Sequence, residues 1–311
     1  MFNFKIIKPK FWDKSGFNLF SFFLIPFTLV TQIINYLKKF KKKQKFKAKS
    51  VCVGNIYLGG TGKTQLVSKL NQILRKKYKT YVIKKYYENQ KDEQDLLKNS
   101  TNLILSQNRS LGMKKIKNQK KNLAIFDDGL QDKSIKYDLS IVCFTSIKGF
   151  GNGKVLPAGP LRENLSEIKN YNAIFINGNR NLKLEKKIKS IKKNINIFYG
   201  KYFLKNRNNF DKKLNYLAFC GLGTPENFFN LLKENKIHIK KKIIFPDHFN
   251  YKISDIKKIK QYANENNLKV ITSEKDYTKI KHFKNMNIKF TKVDLYINRN
   301  LIFEKFLLNN L

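Results

Sequence analysis

The run Gly54-Asn55-Ile56-Tyr57-Leu58-Gly59-Gly60-Thr61-Gly62-Lys63-Thr64 constrains this chain more than any other stretch. It follows the apolar Val51-Cys52-Val53 and opens an amphipathic segment, so it reads as strand, phosphate loop and helix. Glycines let backbone N–H groups close around phosphate oxygens, and a helix N-terminus favours the anion. Gly59, Gly60, Thr61 and Gly62 supply that cradle, Lys63 can reach the β/γ-phosphates and the Thr64 hydroxyl can hold magnesium. Tyr57 stands where the pattern G-x-x-x-x-G-K-[ST] has glycine. The expected ligand is a nucleoside triphosphate.

Beyond Thr64, Leu66, Val67, Leu70, Ile73 and Leu74 have helical spacing, and Thr80–Ile83 then reads as a strand. Further strand-like runs at Leu103–Leu105, Leu123–Phe126, Leu139–Phe144 and Ala173–Ile176 alternate with polar or helical stretches. The pattern predicts an α/β fold: a P-loop NTPase-like, largely parallel sheet with helices on its faces. A Lys- and Asn-rich stretch over 179–213 reads as a linker region. After it a smaller α/β lobe is expected, with strands near Tyr216–Cys220, Lys242–Phe245 and Leu268–Thr272 and helices near Pro225–Leu232 and Ser254–Glu265. The division is 1–49 for an N-terminal membrane-associating segment, 50–178 for the core, 179–213 for the linker and 214–311 for the lobe. With 311 residues, 41% of them hydrophobic, the chain can bury one large core or two moderate ones.

From Ser15 to Leu37 no residue is charged, about the length that spans a bilayer. On a helical wheel, however, Asn18, Ser21, Thr28, Thr31, Gln32 and Asn35 gather on one face, which favours a helix lying in the membrane interface or packing its polar face on protein. Pro26 should kink or break it. Lys38, Lys39, Lys41, Lys42, Lys43, Lys45, Lys47 and Lys49 follow at once, a segment suited to an anionic cytoplasmic leaflet. No small-residue cleavage site follows, which argues against a signal peptide. The net charge of +42, from 64 Lys+Arg against 22 Asp+Glu, suits nucleic acid, anionic lipid or phosphorylated ligands without choosing among them. Cys52, Cys143 and Cys220 sit singly in apolar runs and read as reduced strand residues of a cytoplasmic protein.

The apolar run Asn122–Phe126 delivers Asp127-Asp128-Gly129 at its C-terminal edge, where a Walker-B aspartate belongs beside the magnesium held by Thr64. Gly151–Lys154 and Leu156–Glu163 form a loop too rich in Gly and Pro for a regular element, and Arg162 in it could stabilise charge on a transferring phosphoryl group. Asp247-His248 follows the apolar run Ile243–Phe245, a pairing that could orient and tune an imidazole.

Taken in order, GNIYLGGTGKT, KDEQ, DDGLQD, FGNGKVLPAGPLRE, NGNR, CGLGTPENFF, FPDHF and TSEKD resemble the tetraacyldisaccharide 4'-kinase family, whose sequences read approximately GNxxxGGxGKTP, GDEP, DDGFQH, FGNGxxLPAGPLRE, AGIGxPxRFF, DHxxY and TEKDAVK. The similarity runs from Phe11-Trp12 to about Lys279, and LPAGPLRE is its most specific segment. The resemblance implies a P-loop core with a smaller C-terminal lobe, ATP and Mg2+, and transfer of the γ-phosphate to the 4'-hydroxyl of an acylated glucosamine disaccharide 1-phosphate at the cytoplasmic face of the bacterial inner membrane. It implies triphosphate and metal roles for Lys63, Thr64, Asp127 and Asp128, and a dyad of Asp92 with His248. It implies catalytic roles for Arg162 and Lys63 beside that dyad, and substrate roles for Glu163 and, more distantly, Arg109.

Some motifs depart from the family pattern. GDEP is Lys91-Asp92-Glu93-Gln94, DDGFQH ends in Asp132, and SRGYG is replaced by Ile83-Lys84-Lys85-Tyr86-Tyr87. Two other classes compete with this reading. A ParA/MinD-like membrane ATPase also carries GGxGKT but places lysine where this chain has Leu58, and a basic nucleic-acid-binding protein would need a recognition motif such as RNP1, which is missing from the sequence. No specific nucleic-acid partner is expected.

Overall fold

The computed structural model describes residues 8–14, 16–117, 119–283 and 287–311; residues 1–7 of the predicted N-terminal segment, and Ser15 where its uncharged run starts, lie outside them. In chain order the regular elements are α1 (Leu19–Phe23), α2 (Thr28–Lys39), β1 (Lys49–Gly54), α3 (Lys63–Leu74), β2 (Lys79–Lys85), α4 (Lys91–Ser100), β3 (Leu103–Ser106), α5 (Arg109–Lys114), β4 (Asn122–Asp127), β5 (Leu139–Thr145), β6 (Ala173–Asn177), α6 (Leu182–Ile191) and β7 (Asn196–Leu204). They continue as β8 (Asn215–Cys220), α7 (Pro225–Glu234), β9 (His238–Ile244), α8 (Ile253–Glu265), β10 (Lys269–Ser273), α9 (Glu274–Ile280), β11 (Lys289–Thr291), β12 (Val293–Ile297) and α10 (Asn300–Asn310).

The apolar runs become strands buried on both faces, as parallel sheets require. They build an eight-stranded sheet in the order β12-β7-β6-β5-β1-β4-β2-β3, parallel except where β12 runs against β7. β4 is buried along its whole length and lies between β1 and β2, with Val53 and Lys84 both in register with Asp127. This places the carboxyl ends of β1, β2 and β4 together, the edge at which open α/β sheets bind ligands. A second sheet, β11-β10-β8-β9, is wholly parallel and carries α7, α8 and α9.

Three expectations are corrected. The stretch 179–213 is not a linker: it holds α6 and β7, and β7 pairs with both β6 and β12. Its lysines project outward while Leu184, Ile188 and Phe198 turn into the core, so the stretch looks polar along the chain although its inward face is apolar. Nor does 214–311 all belong to the second sheet, because β12 and α10 return to the first, burying Leu295, Phe303 and Leu307 against it. The strand expected at Lys242–Phe245 begins at His238, an edge strand whose exposed lysines hide it.

The N-terminal helix is broken around Pro26 as expected, and its polar side faces the protein. Ser21 Oγ donates to the carbonyl of Ala158 at 2.7 Å and Asn35 Nδ2 to that of Arg162 at 2.7 Å. The apolar side faces outward, with Phe20, Phe23, Ile33 and Leu37 exposed by 72%, 65%, 57% and 60%. Among the described residues no helix is long and apolar enough to cross a membrane.

Candidate active site

β1 ends at Gly54 and the chain turns through the glycine loop into α3, whose N-cap Gly62 has φ +84°, a conformation costly for any residue with a Cβ. A Cβ there would also strike the hydroxyl of Tyr202 and the amide of Asn177. Asn177 Nδ2 donates to the Thr61 carbonyl, and Asn55 Nδ2 donates to the Gly59 carbonyl at 3.0 Å, so side chains hold the loop's carbonyls back and leave its N–H groups for a ligand. Tyr57 has an explanation too. Its backbone bridges Leu161, its ring is buried, and its hydroxyl donates to Asp13 and accepts from Lys8, tying the loop to the N-terminal segment. Leu58 N–H to Pro160 O at 2.7 Å and Arg162 N–H to Ile56 O at 2.7 Å join the phosphate loop to the LPAGPLRE loop along their length.

The two aspartates at the end of β4 differ. Asp127 is buried, one oxygen accepts from Lys84 Nζ at 2.7 Å, and Oδ1 has no hydrogen-bond partner among the described residues. Asp128, at φ +58°, turns out of the strand towards Lys63 at 3.7 Å and Arg162 at 3.0 Å. Burial alone would raise the Asp128 pKa, but the charges of Lys63 and Arg162 outweigh it and hold the carboxyl below its ordinary range. An orphaned carboxylate oxygen is a chemically suitable ligand for a magnesium ion.

Arg162, Arg109, Asp128, Gln131, Asp132, Lys133, Tyr87, Lys38 and Lys41 line an open cavity of about 320 Å³ beneath the end of α2. Arg109 is nearly buried, donating to the Asp128 carbonyl and facing Asp132 at 3.5 Å. Glu163 lies deeper, accepting from Gln131 Nε2 at 2.5 Å and from the Tyr171 hydroxyl at 3.0 Å, with Lys133 at 3.4 Å.

The two halves of the predicted dyad, 156 residues apart, meet: His248 Nδ1 lies 3.0 and 3.1 Å from the Asp92 carboxylate oxygens. Asp92 comes from the first turn of α4 and His248 from the loop after β9, so the pair joins the two sheets. Lys279 contacts Asp92 at 3.0 Å, and Lys275 lies 3.7 Å from Asp92, 3.6 Å from Glu93 and 3.2 Å from Asp247. Burial would raise the Asp92 pKa; the bond to His248 and the charges of Lys275 and Lys279 overcome it and hold the carboxyl far below its usual range.

The chain matches the family described as tetraacyldisaccharide-1-P 4'-kinase over residues 19–311. A tetraacyldisaccharide 4'-kinase of Pelagibacter ubique is 42% identical over 297 residues, covering 94% of this chain and 95% of that protein, and one of Rickettsia akari is 34% identical with 95% of each covered. This chain belongs to the tetraacyldisaccharide 4'-kinase family. The fold agrees: the Aquifex aeolicus family member crystallised with ATP superposes with a TM-score of 0.71 at 22% identity, covering 94% of this chain and 99% of that one.

Four residues around the family dyad escaped the sequence reading, namely Lys84, Glu93, Lys275 and Lys279. The TSEKD motif carried the signal for Lys275 without assigning it a task. Ser273 caps α9, accepting from the Asp276 N–H at 3.1 Å, while Asp276 accepts from Gly221 N–H and the Tyr251 hydroxyl, each at 3.0 Å. The motif therefore fixes α9, and α9 aims Lys275 and Lys279 at Asp92. Lys84 had no signal beyond its departure from the family segment.

Proposed function

We infer that this chain transfers the γ-phosphate of ATP to the 4'-hydroxyl of tetraacyldisaccharide 1-phosphate, a lipid acceptor in lipid A biosynthesis. Family membership carries the activity, and the observation that carries the chemistry is the His248–Asp92 contact at 3.0 Å, linked through Lys275, Glu93 and Lys84 to Asp127. Lys63 and the N–H groups of Gly59 to Thr64 serve the triphosphate. Thr64 and the unpartnered oxygen of Asp127 would hold magnesium, which would supply charge neutralisation on the phosphates. Asp128 holds Lys63 and Arg162 in place rather than sharing the ion, because both its oxygens already face Arg162, at 3.0 and 3.1 Å.

On the acceptor side, ionised Asp92 fixes the tautomer with a proton on Nδ1, so that Nε2, which faces Lys275 Nζ at 3.5 Å, can take the hydroxyl proton when the acceptor replaces that contact. A sugar hydroxyl ionises only at very high pH, so that proton leaves late in a loose transition state, and positioning does most of the catalysis. The open cavity between Arg109, Arg162 and Lys133 suits the acceptor's anionic headgroup, with Glu163 acting through Gln131 and Lys133. The outward apolar side of α1 and α2, followed by lysines, suits seating on an anionic bilayer at the cytoplasmic face of the inner membrane. We read the phosphate-loop sheet as the kinase core and the β8–β11 sheet as a closing lobe. Neither a ParA/MinD-like ATPase nor a nucleic-acid-binding protein accounts for the dyad or the LPAGPLRE loop.

The decisive experiment incubates detergent-solubilised protein with γ-labelled ATP and tetraacyldisaccharide 1-phosphate. Label is expected in a bis-phosphorylated lipid, and Asp92→Ala and His248→Ala are each expected to lower kcat by about 10²-fold with little change in the KM for ATP. ATP turnover without labelled lipid would overturn the reading, and wild-type rates in both variants would remove the dyad from it.

A further inference from the structure

Lys84 is a cation enclosed between two carboxylates. It lies on β2 in register with Asp127 on β4, so the two side chains leave the same face of the sheet on neighbouring strands. Its Nζ is 2.7 Å from Asp127 Oδ2 and 2.9 Å from Glu93 Oε2, and its side chain is only 6% exposed. Glu93 in turn meets Lys275 at 3.6 Å, one step from the Asp92–His248 pair. Without a cation between them, the fully buried Asp127 and the half-buried Glu93 would be two like charges facing each other, an arrangement that expels one charge or recruits a counter-ion. A divalent ion could fill that role, and this chain fills it with an ammonium instead.

We propose that Lys84 sets the metal-binding capacity of the site: it occupies Oδ2 of Asp127, leaves only Oδ1 for magnesium, and keeps a second divalent ion from lodging between Asp127 and Glu93. Lys84 is a positioning residue, acting on phosphoryl transfer through Asp127. The unpartnered, buried Oδ1 is the independent observation that Asp127 still has one oxygen to offer. The inference rests on the reading of Asp127 as a magnesium residue.

The test is a Mn2+ titration of the protein with a non-hydrolysable ATP analogue, with free Mn2+ read by electron paramagnetic resonance. Wild-type protein is expected to take up one ion per chain. Lys84→Met is expected to bind a further ion or to shift the midpoint by about tenfold, and Lys84→Arg to return towards the wild-type curve. A Lys84→Met titration that superposes on wild type overturns the proposal whatever happens to kcat. Asp127→Asn separates the two ideas. If it leaves Mn2+ binding unchanged, the role of Asp127 fails; if it weakens binding while Lys84→Met does not alter it, only the role of Lys84 fails. Should Lys84→Met not fold, Lys84→Gln, which removes the charge but keeps an amide able to donate to the carboxylates, is judged by the same two curves.

Discussion

Asp92, the carboxylate that meets His248, Lys275 and Lys279, has an environment that makes a pH prediction. Asp92 is buried and Glu93 and Asp128 are half-buried; desolvation alone would raise their pKa values, and each is brought below the ordinary range by neighbouring cations and hydrogen bonds. A carboxylate depressed on folding adds stability that is fully present above its unfolded value of about 4 and is lost as pH falls through the folded value. Stability should therefore decline from about pH 5 downward. Asp92→Asn, which keeps the shape and loses the charge, should be less stable at pH 7 by about 2 kcal/mol, since hydrogen bonds to a charged group are lost. That difference should shrink as pH falls towards the Asp92 pKa, and urea unfolding of both proteins at about pH 7, 5 and 3.5 checks it. A difference that stays constant across the series would mean that Asp92 is not the linked group.

At the scale of elements, α1 and α2 invert the usual pattern of a surface helix, with polar groups bonded inward and aromatic groups presented outward. Phe20→Ser/Phe23→Ser should weaken partition onto phosphatidylglycerol vesicles by about tenfold, roughly the transfer free energy of partly immersed rings. The thermal midpoint should hold, because those rings touch water in the protein; a lowered midpoint with unchanged vesicle binding would assign them to packing instead. This inversion was half legible in the sequence: the wheel found the polar face and Pro26 the break, while only the structure shows that Ser21 and Asn35 bond the LPAGPLRE loop. The same division holds elsewhere. Strands β1, β4, β5 and β6 are short apolar runs buried on both faces and announce themselves, as did the phosphate loop and the aspartates at the end of β4. β7 and β9 carry lysines on their open sides, and β12 joins its sheet across nearly ninety positions from β7, so neither local composition nor spacing marks their place. Lys84 was illegible for a related reason. A lysine in a strand of a basic chain looks solvated until the register sets it opposite Asp127.

For the whole molecule, the nucleotide residues and the dyad depend on the two sheets differently. Lys63, Thr64, Asp127 and Asp128 all stand on the first sheet and its loops, whereas His248, Lys275 and Lys279 arrive from the second and meet Asp92 and Glu93 on α4. α4 and α9 pack directly on each other, so the ionic cluster lies on the seam. Thr224, at the start of α7, also approaches the phosphate loop: a Cβ on Gly60 would sit 2.9 Å from its hydroxyl. On the proposed mechanism, phosphoryl transfer should need both sheets in register, while nucleotide binding should need chiefly the first. Lys279 is the group that separates these demands, because it reaches Asp92 at 3.0 Å while also donating to the Phe249 carbonyl at 3.2 Å, beside His248. Lys279→Met should lower kcat by about tenfold through loss of dyad alignment while nucleotide affinity stays within about threefold of wild type. Hydrogen exchange should quicken in α4 and α9 together, since both lose the same anchor, and remain unchanged in α3 behind the phosphate loop. Nucleotide affinity falling in step with kcat would show instead that the second sheet shapes the phosphate site itself, through the Thr224 contact rather than through the ionic seam.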